Sequence, residues 1–321
     1  MAQGPSLPQL VHSTPLVLTE GAVIERMRRD SPLPLHPVLF NTGFLYSSVG
    51  RQVMGRIYRQ YLRIASQYCL PILVLTPTWR ANPERVKEAG FSDKDPNGDA
   101  VRFLSRMRDE KRSGTTTVLI GGLMGCRGDA YDPSTALTRD EAARFHAPQA
   151  QALASAGADF LVASTLPSLQ EAMGLGAAMT RTGLPCILSF VVRAEGVLLD
   201  GTPFGEALSG LDASISPRPF GYMVNCVHPS NFRRAMVKAL AYSPQLSVRV
   251  LGLQGNTSTR SPEELEGKPE LDGQGPEAFA QDMLNLHAEY GLKVLGGCCG
   301  TDDRHIRAIA RQWREAHPVK S

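Results

Sequence analysis

The chain has 321 residues, of which 42% are hydrophobic and 20% charged, a composition that is typical of a folded globular protein and excludes a disordered or fibrous one. Its 34 basic and 31 acidic residues leave a formal net charge of +3. Because this balance is nearly even and the basic residues are scattered, nucleic acids and anionic membrane surfaces are not expected as main partners. A small-molecule ligand is favoured instead.

The N-terminal segment carries no recognisable targeting signal. Residues 1–13 have neither a basic n-region nor an apolar h-region. No stretch of the chain reaches the roughly eighteen continuous apolar residues of a membrane span. We therefore expect a cytoplasmic protein. Six cysteines are too few for a disulfide framework in a chain of this length, so we expect free thiols in a reducing compartment.

Short apolar runs recur along the chain, and each is followed by a segment with helical periodicity. The predicted strands, in chain order, are 15–19, 71–76, 116–122, 159–165, 185–190, 221–226, 247–253 and 292–297. The predicted helices are 51–69, 98–113, 139–156, 168–182, 204–211, 229–240, 275–290 and 302–316. The strand runs are almost continuously apolar, which is typical of parallel strands that are buried on both faces.

Eight successive βα units favour a single (β/α)8 TIM barrel over an open doubly wound sheet, which usually has fewer strands. No linker or low-complexity segment divides the chain, so residues 1–321 are predicted to form one domain. The polar segment 261–276 is predicted to be a loop that leaves the barrel. In such barrels the chemistry lies where the strands end and the βα loops begin.

Three cysteines lie at predicted strand ends. Cys226 ends the sixth strand, and Cys298 and Cys299 follow the eighth strand within the motif GGCCGT. Flanking glycines let the backbone turn so that both neighbouring sulfurs reach one centre. Thiolates suit Zn²⁺, and three protein ligands with an open fourth position are typical of a catalytic zinc. We therefore predict a zinc site. The alternative is that all six cysteines are packing residues.

The remaining cysteines are less promising as ligands. Cys69 and Cys186 lie in apolar surroundings and are predicted to be inert core thiols, whereas Cys126 lies in a polar loop. His228 follows Cys226 by two residues, and we predict a solvated loop histidine there rather than a fourth ligand.

The motif GGCCGT followed by His305, together with the Asn225-Cys226 pair, resembles the homocysteine S-methyltransferase family over nearly the whole chain. The supporting segments are TPTWRAN (76–82), SF (189–190) with LLDGTPFGEA (198–207), GNTS (255–258) and the acidic turn Glu20-Gly21-Ala22. The resemblance implies a zinc-dependent barrel that transfers a methyl group from an onium donor, such as S-methylmethionine or betaine, to homocysteine and forms methionine. It implies Cys226, Cys298 and Cys299 as metal ligands.

The resemblance also implies substrate-side residues. Glu20 takes the place of a family carboxylate that binds the amino group of the acceptor, although a solvated loop carboxylate is its plain alternative. Asn225 either hydrogen-bonds near the metal or clamps the backbone. The others are Gly21, Thr76, Thr78, Ser164 and Gly297. The alternative for Thr76 and Thr78 is that threonine at a strand end simply reflects its β-propensity. The alternative for Gly297 is that glycine only allows the backbone to turn after the eighth strand.

The chain departs from the family pattern at the end of the fourth strand. Where the family usually has Glu-Thr, this chain has Ser164-Thr165, so a second carboxylate for the substrate amino group is missing. The acceptor is therefore either homocysteine bound differently or another thiol. A methyl-corrinoid protein as donor and a non-catalytic metal-binding barrel are the remaining alternatives. No catalytic group beyond the metal is predicted, and the oligomeric state is left open.

Overall fold

A computed structural model describes residues 4–110, 116–260 and 273–318. Eight parallel strands close into a barrel in chain order, and β1 pairs with β8 to complete the circle. The strands are β1 (Val17–Thr19), β2 (Ile72–Leu75), β3 (Val118–Met124), β4 (Phe160–Leu166), β5 (Cys186–Phe190), β6 (Gly221–Val227), β7 (Val250–Gly255) and β8 (Val294–Gly297). The predicted TIM barrel is confirmed.

Most helices follow a strand and form the outer layer, whereas α1 precedes β1. They are α1 (Leu7–Ser13), α2 (Ile24–Asp30), α3 (Ser48–Gln67), α4 (Pro83–Glu88), α5 (Pro96–Glu110), α6 (Arg139–Ser155), α7 (Leu169–Thr180), α8 (Phe204–Ser214), α9 (Pro229–Tyr242), α10 (Pro276–Tyr290) and α11 (Asp303–Ala316). Short 3-10 helices lie at Asn41–Tyr46, Pro133–Thr135 and Pro244–Val248. The short helices α1, α2 and α4 were not predicted, because six or seven residues give too little periodicity to recognise.

Two apolar layers hold the barrel together. Inward-facing side chains such as Leu73 and Leu75 form an inner core, whereas Ile72 and Val74 on the same strand pack outward against the helices. This alternation follows from the two-residue repeat of a strand. Helix α1 packs Leu7 and its neighbours into the inner core from the opposite end to the βα loops. The end that carries the βα loops is therefore the one available for a site.

Among the helices of the described residues, none combines the length and apolarity that are needed to cross a bilayer. The predicted loop at 261–276 falls largely outside the described part of the chain, which resumes at residue 273, and α10 begins at Pro276.

Candidate metal centre and substrate site

The barrel brings the three predicted cysteine ligands together. Cys226 lies near the end of β6, and Cys298 and Cys299 follow β8, with β7 paired to both strands. The three sulfur atoms lie within 4.8 Å of one another. Cys226 is buried, Cys298 half-buried and Cys299 exposed, so the cluster opens toward the rim. Three soft donors this close can hold one metal ion.

The structure joins Cys226 and Cys298 in a disulfide, in contrast to the free thiols expected from the sequence. Their Cα atoms are 5.3 Å apart because β6 and β8 flank the same strand. This separation is inside the range of about 4.4–6.8 Å that a disulfide spans. Reduction of this bond yields three neighbouring thiols, since Cys299 is already free.

Cys226 owes its position to an unusual backbone. The residue has a φ of 56°, in the left-handed region, and the pairing of β6 with β7 shifts register between Asn225 and Val227. Thr165 near the end of β4 has a φ of 61°, beside a register shift in the pairing of β4 with β5. Non-glycine residues rarely adopt this conformation, and such strain is often found at functional sites.

Asn225 holds both strained strand ends. Its Oδ1 accepts hydrogen bonds from the Thr165 backbone N–H at 2.9 Å and from the Ser189 hydroxyl at 2.7 Å. Its Nδ2 donates to the Thr165 hydroxyl at 2.7 Å. The side chain is buried and joins β4, β5 and β6. Asn225 therefore has the geometry of a backbone clamp beside the cysteine cluster.

We expect Asn225→Ala to destabilise the protein by about 2–4 kcal/mol, because it leaves buried donors unpaired and frees two strained residues. Chemical denaturation monitored by circular dichroism measures this loss. Metal affinity should fall by about 10–100-fold, as is typical when a residue that orients a ligand is removed. Ser247→Ala, at a surface hydroxyl that bonds only locally to Pro244, is the control. An Asn225→Ala protein with unchanged stability contradicts the clamp.

Hydrogen bonds between side chains and the backbone fix the segment that carries Cys298 and Cys299. The Thr301 hydroxyl donates to the Cys298 carbonyl at 2.7 Å and accepts from the Ala22 N–H at 3.1 Å. The Gly300 N–H donates to Glu25 Oε2 at 2.7 Å. A side chain at Gly297 would overlap the Thr301 hydroxyl, so glycine is required there.

Glu20 is buried at the end of β1, only 4% exposed, which excludes the solvated alternative. Its Oε1 accepts a hydrogen bond from the Leu75 N–H at 3.1 Å, and its buried Oε2 has no partner among the residues that the structure describes. Burial raises the pKa of this carboxyl to about 8. A buried carboxyl with one unused oxygen suits a ligand that brings a positive charge and N–H donors.

The neighbouring Gly21 allows β1 to end against the β8 segment. A Cβ atom there would lie 2.9 Å from both the Thr301 Oγ1 and the Tyr61 hydroxyl. Such contacts are too short for real Cβ atoms, so any larger residue would displace this packing.

Thr76 and Thr78 are fully buried, and their hydroxyls are occupied within the protein. Thr78 donates to the Leu123 carbonyl at 2.6 Å, and Thr76 accepts from the Leu123 N–H at 2.8 Å. The two hydroxyls are 2.7 Å apart, so Thr76 donates to Thr78. They join the end of β2 to β3 and shape this part of the rim.

Ser164 lies near the end of β4, and its buried hydroxyl has no hydrogen-bond partner in the described part of the chain. Its carbonyl accepts from Trp79 Nε1 at 3.1 Å, which connects β4 to the segment after β2. An unpaired buried hydroxyl is costly unless a ligand or water satisfies it. Ser164 is thus a second polar group at the rim with unused hydrogen-bonding capacity.

Two predictions about other side chains are wrong. Cys69 is exposed rather than in the core, because α3 ends there and a left-handed turn with φ of 50° directs the chain into β2. His228 is buried rather than solvated, and its Nδ1 caps α9 by accepting from the Ser230 N–H at 3.1 Å. Cys186 is buried as predicted, and Cys126 is also buried although it lies in a loop.

Sequence reasoning missed the residues that support the cluster. Thr301 lies within the GGCCGT motif, so its position was a usable signal. Glu25 acts through a contact with a distant segment that no local pattern indicates. Trp79 lies within the segment TPTWRAN, but its contact with the Ser164 carbonyl is visible only in the fold.

Comparison with known proteins assigns the family. The sequence model of the homocysteine S-methyltransferase family matches residues 17–313 of this chain. Homocysteine S-methyltransferase YbgG of Bacillus subtilis is 27% identical over 320 residues, which cover 95% of this chain and 96% of that protein. Homocysteine S-methyltransferase 4 of Zea mays is 24% identical over 308 residues, which cover 88% of this chain and 85% of that protein.

A solved structure shares the fold. The metallated form of the homocysteine methyltransferase MmuM from Escherichia coli matches with a TM-score of 0.75 at 22% identity, covering 94% of this chain and 98% of that one. The family model spans far more than half of the chain, from β1 to α11. The chain therefore belongs to the homocysteine S-methyltransferase family of methyl-transferring enzymes.

Proposed function

We propose that this protein is a zinc-dependent S-methyltransferase that moves a methyl group from an onium compound, such as S-methylmethionine or betaine, to homocysteine and forms methionine. The observation that carries the proposal is the convergence of Cys226, Cys298 and Cys299 within 4.8 Å at the rim of a barrel of this family.

The three sulfurs suit zinc by chemistry and by spacing. Sulfur ligands of one tetrahedral zinc lie roughly 3.8 Å apart, since the Zn–S distance is about 2.3 Å. The limit of 4.8 Å that encloses the three sulfurs is compatible with this value once the disulfide is reduced. When bound, the metal would lower the pKa of an incoming thiol and so supply a thiolate at neutral pH.

Glu20 is proposed to bind the amino group of the acceptor. Its unpaired Oε2 accepts an N–H hydrogen bond, and the positive charge of the ammonium favours the carboxylate form. Arrival of the ammonium therefore displaces the proton that burial keeps on Glu20. The hydroxyl of Ser164, where relatives usually carry a carboxylate, provides a neutral hydrogen-bond partner in our proposal.

The remaining residues position these groups. Asn225 aims Cys226 through its clamp on Thr165. Gly21 and Gly297 allow close approach of the β1 and β8 segments, and Thr76 and Thr78 shape the rim. In the reaction, a new bond forms between the acceptor sulfur and the methyl carbon, and the donor keeps the electron pair of the bond that breaks. Because the positive charge of the onium centre and the negative charge of the thiolate are both lost in the transfer, a dry site favours the reaction.

Methyl transfer by the reduced, zinc-loaded protein tests this proposal. Each donor is offered with homocysteine, cysteine or mercaptoethanol, and methylated products are measured by mass spectrometry. We expect methionine from homocysteine and at least a tenfold lower rate with mercaptoethanol, which has no amino group for Glu20 to bind. Equal rates with all three thiols contradict an amino-acid acceptor, and no transfer from either donor contradicts the onium proposal.

A further inference from the structure

We propose that Arg80 is a substrate-binding residue that holds a carboxylate group at the barrel rim. This inference rests on the proposed function and extends it, because it names a second charged anchor for the substrate. Arg80 belongs to the segment 76–82 that follows β2, at the same end of the barrel as the cysteine cluster.

Arg80 is held rigidly on one side. Its Nη1 donates to the Cys126 carbonyl at 3.2 Å and to the Gly128 carbonyl at 2.6 Å, which uses both hydrogens of that nitrogen. The guanidinium carbon lies 4.0 Å from the centre of the Trp79 ring. With 6% of the residue exposed, Arg80 has little freedom to move.

The Nε and Nη2 edge of the guanidinium faces no oxygen acceptor within the described ranges, although the Cys126 thiol also interacts with the guanidinium. Among these residues the buried Nε has no hydrogen-bond partner, no oxygen accepts from Nη2 and no carboxylate lies within ion-pair distance of Arg80. Asp129 is near enough to influence the charge, but its Oδ1 accepts from the Tyr131 N–H at 2.9 Å. A buried guanidinium stays protonated, and a buried charge needs a partner.

Two other arginines in this protein use the same Nε and Nη2 edge to bind both oxygens of one carboxylate. Arg127 donates from Nε and Nη2 to the two oxygens of Glu84 at 3.0 and 3.1 Å. Arg249 does the same to Asp212 at 2.8 and 2.7 Å. Two parallel N–H groups match the two oxygens of a carboxylate. The Nε and Nη2 groups of Arg80 form the same kind of pair, and among the described residues no carboxylate binds to them.

Contacts connect Arg80 to the rest of the site. Trp79, on which the guanidinium stacks, donates to the carbonyl of Ser164. Tyr131, in the loop that Arg80 holds, lies within electrostatic reach of both Arg80 and Cys299. Arg80 is therefore linked through Trp79 to the end of β4 and through Tyr131 to the neighbourhood of Cys299.

The proposed substrates carry the group that fits. Homocysteine, S-methylmethionine and betaine each have a carboxylate, and this shared chemistry is what Arg80 recognises. A carboxylate held by Arg80 would fix the orientation of the thiol or of the methyl group.

Calorimetric binding of matched ligands to the full-length protein tests the inference. L-methionine and S-methylmethionine are each compared with the analogue that lacks the carboxylate, using the wild type, Arg80→Gln and Arg80→Lys. We expect Arg80→Gln to weaken binding of a carboxylate ligand by about 10–100-fold, with a change below about threefold for its decarboxylated analogue. Arg80→Lys should restore only part of the affinity, since it lacks the paired N–H groups.

Arg85→Gln is the matched control, because Arg85 also donates to loop carbonyls, those of Val38 and Arg127. Loss of methionine affinity assigns the carboxylate to the acceptor, and loss confined to S-methylmethionine assigns it to the donor. The proposal is overturned if Arg80→Gln weakens binding of a carboxylate ligand and of its decarboxylated analogue equally, or leaves all affinities unchanged. It is also overturned if the wild type binds neither L-methionine nor S-methylmethionine. The methyl-transfer assay of the wild type tests the proposed function separately.

Discussion

Replacing Cys298 by alanine is expected to abolish zinc binding and to lower methyl transfer by more than about 100-fold. The substitution removes one of three sulfurs that lie within 4.8 Å of one another, so too few soft ligands remain for a tight site. Zinc is measured by elemental analysis of the reduced protein, and methionine formation by mass spectrometry. About one zinc per chain is expected in the wild type.

Two other cysteines separate a ligand effect from a general loss of thiols. Cys69 is exposed and is a free thiol outside the cluster, so Cys69→Ala should retain zinc and activity. Cys126→Ala tests a buried thiol in a neighbouring loop and should retain zinc with some loss of stability. A Cys298→Ala protein that keeps both zinc and activity would contradict the proposed ligand set.

Replacing Glu20 by glutamine is expected to weaken binding of L-methionine by about 10–100-fold at pH about 8, because an ammonium loses its charged partner. The wild type should bind methionine more tightly as the pH rises from about 6 to 8, by up to about tenfold per unit, since its carboxyl has a pKa of about 8 and must lose a proton first. Calorimetry across this range measures both effects, and methionine brings no thiol that titrates.

The Glu20→Gln variant is its own control for the pH dependence, because its binding should be nearly independent of pH over the same range. The ligand-free wild type should also lose stability as the pH rises from about 4.5 through about 8, since the folded protein holds a proton that the unfolded chain releases. The Glu20→Gln substitution should remove this dependence of stability on pH. A wild type whose methionine affinity does not change with pH would argue against Glu20 as the ammonium partner.

The order of apolar and helical segments along the chain predicts the barrel and places the three cysteines at one rim. Continuous apolar runs alternating with helical segments indicate parallel strands, and eight of them indicate a closed barrel. Because all strands of such a barrel end at the same rim, Cys226 and the Cys298-Cys299 pair had to approach one another. The order of the strands along the chain is enough to place these cysteines at one rim, without any individual contact being known.

The burial and hydrogen bonding of each side chain depend on the folded structure. Glu20 is buried because the Leu75 N–H, 55 positions away, holds its carboxyl, and Asn225 clamps Thr165 from 60 positions away. Only the fold shows which nitrogens of the Arg80 guanidinium have hydrogen-bond partners. Burial, hydrogen bonding and strain at these residues depend on segments far apart in the chain. Local pattern and propensity report only on neighbours, so they could not show which polar groups the fold leaves unpaired.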